Sequence, residues 1–312
     1  MVGLLLAVVA VSGCGREQEQ PLPAGQLRIA TGSSGGVYTA YGKGLEAAID
    51  RHLPRLRASV LHSGGSVSNL RRLEARRAEV AFSQADSATE ASKGTGRFSK
   101  PIRIAALAHL YDDYVQVVVR RGSGMRRIDD LATRRVSTGA EDSGVSLIAE
   151  RVLAVSSLRG SRAPRRVQLD LVRSARALAD GGIDAFFWSG GLPTPEIVDL
   201  QRRVPIGLID LRGTAAALSR RYGDLYTETQ IPRRIYGARR AVSTVSVANS
   251  LVVRRDLDKE TAYRLTRLLF ERHEELKLAH PEAAHLNRRA ALATFPLPLH
   301  PGAARFFRED QP

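Results

Sequence analysis

The chain of 312 residues carries a net charge of +15, with 43% hydrophobic and 25% charged residues. That length exceeds one small core and suits two α/β lobes with a cleft between them. Arginine outnumbers lysine 42 to 5 and recurs in pairs along the whole chain, with neither aromatic interleaving nor a nucleic-acid motif, so the charge reads as a basic solvated surface and nucleic acid is excluded as a partner.

Residues 3–11 form an unbroken apolar run, the length of a signal-peptide core and far short of the ~20 needed to span a bilayer. The run ends in Val11-Ser12-Gly13-Cys14, which resembles the bacterial lipobox. Residues 1–13 are therefore expected to be a removed signal peptide, Cys14 a lipidation site, and residues 14–26 a polar tether. No basic residue precedes the run, a departure from the usual signal peptide. Cys14 is the only cysteine, so a disulfide within the chain is excluded.

Residues 26–30 read as a short buried strand, followed by the glycine- and serine-rich loop TGSSGGVYT and a helix with Val37, Tyr41, Leu45 and Ile49 on one face. Residues 58–61 read as a second strand, 62–66 as a second small-residue loop, and Val67, Leu70 and Leu73 as the inner face of a second helix. Residues 80–82 are a third strand. Alternation of this kind predicts a mostly parallel sheet with helices on both faces.

After a β-rich run at 114–120 the pattern begins again. The segment from Ile29 to Val37 is echoed from Val136 to Val145, and the segment from Leu73 to Phe82 is echoed from Leu178 to Phe187 at an offset of 105. Two echoes in one order predict two related lobes: 27–118 with 245–308 as a discontinuous first lobe, and 119–244 as the second. A strand at 245–253 and a helix at 259–278 close the chain.

No enzyme signature is met. The opening loop lacks the dinucleotide fingerprint and the phosphate-loop spacing, the second loop lacks the last glycine of a nucleophile elbow, and the histidines lack metal-ligand spacing. No cofactor and no metal are expected. What remains is a set of hydroxyl and amide groups at strand ends, where a small-residue loop opening a helix brings backbone N–H groups and the helix dipole to bear on an anion. Thr31, Ser33, Ser34, Gly36, Val37 and Tyr38 supply one such clamp, and Ser63, Gly65, Ser66 and Asn69 a second. Gln84 and Asp86 end the third strand, and Ser143 is the counterpart in the other lobe. Each of these groups serves equally as a plain turn or helix cap, and Trp188 as core or cleft wall.

Read together, TGSSGGVYTAYG, HSGGSVSNLRRLEARRAEVAFSQADSA, VSTGAEDSG, IDAFFWSGGLPTPEI and PLHPGAARFFRE resemble, in order, the solute receptors of TAXI-type TRAP transporters. The resemblance implies a two-lobed, type II periplasmic-binding-protein fold, α/β in class, that closes on a small organic anion. The cargo implied is a dicarboxylate or an acidic amino acid such as glutamate, or 2-oxoglutarate. It also implies delivery to a TRAP membrane permease, no catalysis, and a monomer held outside the cell membrane by the lipid at Cys14. Two other readings stay open: a ligand-sensing lipoprotein of the same fold that feeds a membrane signalling protein, and a transferase or hydrolase that would draw on His62 beside Ser63.

Overall fold

The computed structural model describes residues 25–309; the expected signal peptide, Cys14 and nearly all of the tether lie outside them. The first lobe begins with β1 (Gly25–Ala30), α1 (Val37–His52), β2 (Leu56–Leu61), α2 (Ser66–Glu74), β3 (Val80–Gln84) and α3 (Ala85–Lys93). The apolar spacing of α1 does what it predicts: Val37, Tyr41, Leu45 and Ile49 are all buried. β4 (Ile104–Arg120) then runs for 17 residues into the second lobe.

That lobe comprises β5 (Arg135–Ser137), α4 (Gly144–Val155), β6 (Arg165–Val167), α5 (Leu171–Ala179), β7 (Ala185–Gly190), α6 (Pro195–Arg203), β8 (Ile206–Leu208), α7 (Thr214–Tyr222) and β9 (Tyr226–Ile231). β10 (Val242–Arg254) returns to the first lobe, which α8 (Lys259–Glu271), α9 (His273–Ala279), α10 (Arg288–Ala291) and α11 (Pro301–Glu309) complete.

Among the described residues the strands form one sheet in the order β2-β1-β3-β10-β4-β7-β5-β6, with β8 on β4 and β9 on β10. β1, β2 and β3 are mutually parallel, as are β5, β6 and β7. The two long strands join the halves. β4 pairs with β10 up to Tyr114 and with β7 from Tyr114 onward, while β10 pairs with β9 up to Val247 and with β3 from Asn249. Separate cores lie on either side of this crossing. Tyr41, Phe82 and Leu251 belong to the first lobe, Val152 and Phe187 to the second.

The internal echo is structural. The offset of 105 maps α2 and β3 onto α5 and β7, and the loop before α1 has its counterpart before α4. Two expectations change. β4 starts at Ile104, ten residues before the β-rich run at 114, because its alanine-rich first half lacks β-branched residues and does not read as a strand. The helix expected over 259–278 is two helices, broken at Arg272 (φ −110°, ψ 22°), although Leu265, Leu268, Leu269 and Leu276 are buried as its spacing requires.

Candidate functional site

In open parallel sheets the loops beyond the carboxyl ends of strands share one side. Here the two lobes bring those sides face to face. Between them lies a small, partly open cavity of about 50 Å³, room for a few water-sized groups.

Nine of the residues expected at a ligand site line it: Ser33, Gly36, Val37, Tyr38, Gly65, Ser66, Gln84, Ser143 and Trp188. Helix starts dominate the wall. α1, α2 and α4 all begin at the cavity, and each helix leaves its first N–H groups without an intrahelical acceptor. Gly36 and Gly65 are the N-caps of α1 and α2 and carry no capping side chain; the third N–H of each helix is taken, Thr39 by the Gly36 carbonyl and Ser68 by the Asp142 carbonyl, which leaves the first two of each for a ligand. Ser143 caps α4 by accepting from the Ser146 N–H at 2.9 Å. Trp188 is at once a cavity wall and a partner of the second-lobe core, with its indole N–H on Thr194 Oγ1 at 3.1 Å.

Five expected residues lie outside the lining. Asn69 is fully buried and donates to the Thr31 and Phe82 carbonyls at 2.6 and 2.9 Å. Ser63 Oγ donates to the Thr31 carbonyl and meets Asn69 Oδ1 at 2.6 Å, so these two side chains stitch the loops to the sheet. Thr31 Oγ1 donates to the Leu61 carbonyl. Ser34 is exposed at the rim. Asp86 is turned away into a contact between the lobes. It accepts from the Tyr226 hydroxyl at 3.0 Å, that hydroxyl accepts from Arg151 at 2.8 Å, and Arg151 donates to Glu90 at 2.6 Å. Burial raises the Asp86 carboxyl, opposed by the Arg151 charge beside it.

Sequence reading missed Tyr111, Asp113 and Ser189. Gln84 Nε2 donates to Asp113 Oδ2 and to Ser189 Oγ, each at 2.7 Å, and Ser189 Oγ donates to Asp113 at 3.2 Å. Burial pushes the Asp113 carboxyl up to about 7, against the pull of the Gln84, Asn249 and Ser189 side chains. The Asn249 amide faces the Asp113 carboxyl, but neither Asn249 Nδ2 nor Asp113 Oδ1 comes close enough to close a hydrogen bond. The Tyr111 hydroxyl and Gln84 Oε1 are also buried without partners. The available signal was the adjacent pair Asp112-Asp113 within a strand: alternation turns one outward and the other inward.

The cavity has no cationic side chain in its lining. The nearby arginines are engaged in ion pairs between the lobes: Arg71 with Asp142, Arg97 with Glu150 at 2.7 Å, and Arg151 with Glu90. Backbone joins them as well, with the Ser68 N–H on the Asp142 carbonyl at 2.9 Å. On the opposite rim the Leu192 N–H donates to Glu282 Oε1 at 2.9 Å. The lobes are therefore shut along both edges.

Solved structures share this architecture. A protein of Bordetella bronchiseptica RB50 is 18% identical with a TM-score of 0.54, over 94% of this chain and 92% of its own. The periplasmic aliphatic sulphonate binding protein of Escherichia coli is 12% identical with a TM-score of 0.50, over 93% and 84%. A putative L-cystine ABC transporter protein from Listeria monocytogenes is 16% identical with a TM-score of 0.51, over 81% and 93%. These likenesses show the two-lobed, type II periplasmic-binding-protein fold. The matching family profile covers residues 29–310 and does not single out the TAXI-type receptors. By that match, which spans both lobes, the chain belongs to the NMT1-like family.

Proposed function

We propose that the chain is an extracytoplasmic solute receptor whose lobes shut on a small organic anion and deliver it to a membrane permease. The observation that carries this reading is the convergence of three helix N-termini, two from one lobe and one from the other, on one cavity between the lobes. Each offers unpaired N–H donors and a fractional positive charge, which together hold a carboxylate without a side-chain cation. Fold relatives are named for binding a sulphonate and for cystine import, which supports a solute-binding role. The sequence resemblance points to a TRAP permease as partner and to lipid anchoring at Cys14. Among the described residues no helix is long and apolar enough to cross a membrane.

The receptor catalyses nothing in this reading. Ser63 Oγ is engaged with Thr31, Asn69 and the Gly65 N–H, while His62 is exposed and outside the lining. A nucleophile needs a base within hydrogen-bond reach. Replacing His62 with Ala should accordingly leave ligand affinity within a few-fold.

Titration calorimetry against a panel of small carboxylates, amino acids and sulfonates, with small-angle scattering on the same samples, tests the proposal. The expected result is one-to-one binding accompanied by a fall in radius of gyration. Binding of none of them, from folded protein, would sink it.

A further inference from the structure

The cavity wall has two chemically opposite poles. One is made of donors: the first backbone N–H groups of α1, α2 and α4. The other is made of acceptors. Asp113 Oδ1 closes no hydrogen bond although the unpaired Asn249 amide faces it, the Tyr111 hydroxyl, donor as well as acceptor, is unpaired, and Gln84 Oε1 is unpaired where it lies against Gly144 at the start of α4. Asp113, Tyr111 and Gln84 are all at least nine-tenths buried. A buried acceptor without a donor is costly, and a ligand N–H can recover that cost.

Charge sharpens the contrast. Asp113 is the only ionisable carboxylate in the lining, with no lysine, arginine or histidine to balance it. Glu282, from the 3-10 turn after α9, adds to the negative field at Asp113. A second carboxylate placed here would meet like charge in a low-dielectric site, whereas an ammonium group would meet its counterion.

We infer that the cavity selects a bipolar cargo, a small amino acid whose carboxylate lies on the helix N-termini and whose ammonium lies on Asp113, over dicarboxylates. This deepens the receptor reading and rests on it. Asp113 is then the residue that sets specificity, with the Tyr111 hydroxyl as its partner at that pole. The small volume favours a short side chain.

The test is calorimetric titration of the full mature chain at pH 8 with glycine, L-alanine and L-serine in one series and malonate, succinate and glutarate in the other. The expected result is binding confined to the amino-acid series. Asp113→Asn should weaken that binding at least about 100-fold, since a buried charged contact is lost, and Tyr111→Phe about tenfold. Thermal melts of both empty variants establish that they are folded, and Tyr111→Phe removes only one oxygen should Asp113→Asn fail that check. Tight dicarboxylate binding with normal compaction would overturn the inference and leave the receptor reading standing. Amino-acid affinity unchanged in both folded variants would also overturn it, as would silence from both series.

Discussion

Asn69 and Asp113 show how residue type and residue role part company. Both are buried polar side chains near the cavity. Asn69 spends both amide hydrogens on the carbonyls of Thr31 and Phe82, holding the strand-end loops together. Asn69→Ala leaves those carbonyls unsatisfied and should cost about 3 kcal/mol of stability in urea unfolding, with ligand affinity nearly unchanged. A large loss of affinity at unchanged stability would place Asn69 in the site after all. Asp113 behaves oppositely. Its carboxyl sits near 7 when folded, above the ordinary carboxylate value near 4, so burial favours the protonated form. The resulting stability is fully present below about pH 4 and is lost as pH rises through about 7. Asp113→Asn should therefore flatten the pH dependence of the denaturation midpoint between pH 5 and 8. A residual slope of the same sign is expected from Asp86, Glu196 and Glu282, whose carboxyls burial also raises. The residue types of the loops were legible in the sequence; the directions of their side chains were not. Thr31, Ser63 and Asn69 read as clamp residues because a hydroxyl or amide in a loop serves the sheet and a ligand equally well, and only tertiary packing decides between them.

At the scale of elements, α3 is a wedge. Ala88 and Ala91 pack in the first-lobe core, Ala85 in the second, and the acidic side chains of Asp86 and Glu90 reach across to Tyr226 and Arg151. The Arg151 guanidinium also stacks 4.5 Å over the Tyr222 ring. Burial opposes its charge, but Asp86, Tyr226 and Glu90 outweigh that and raise its pKa. Removing one partner of a buried ion network leaves the others uncompensated. Arg151→Met should lower stability by about 3 to 5 kcal/mol, visible as a large drop in melting temperature, and Arg151→Lys should recover only part because an ammonium cannot serve the two acceptors as a planar fork does. A melt indistinguishable from the parent would mean that α3 is held by its alanines alone. The helix and strand framework was legible where period and length were strong, as in α1 and in the offset of 105. That offset also places Gln84 opposite Ser189, equivalent positions of the two lobes that hydrogen-bond to each other. The first half of β4 was not legible, since alanines carry no strand signal of their own and its partner β10 lies more than a hundred residues away.

At the scale of the whole molecule, the glycines that first suggested a ligand cradle have a second cause: the opposite lobe rests on them. A Cβ on Gly144 would strike the Gln84 side chain, and one on Gly64 would come within 2.5 Å of the Glu141 carbonyl oxygen. The Gly64 contact is informative because its two neighbours belong to different lobes. Within its own lobe a Cβ would meet only Ser68 Oγ at 3.3 Å, the end of a side chain that can turn aside. Across the cleft it meets backbone, which cannot. Gly64→Ala should thus leave the unfolding of the empty chain almost unchanged while penalising the shut form. A ligand then binds with an affinity reduced by the fraction of molecules able to close, about tenfold for a penalty near 1.4 kcal/mol. Gly207→Ala, where the nearest atom is 3.8 Å away within the second lobe, is the matched control and should change neither property. Scattering at saturating ligand should show less compaction for Gly64→Ala than for the parent. Equal compaction and equal affinity would mean that the lobes bind ligand without the close approach seen here, and the seam of glycines would be left without a role in closure.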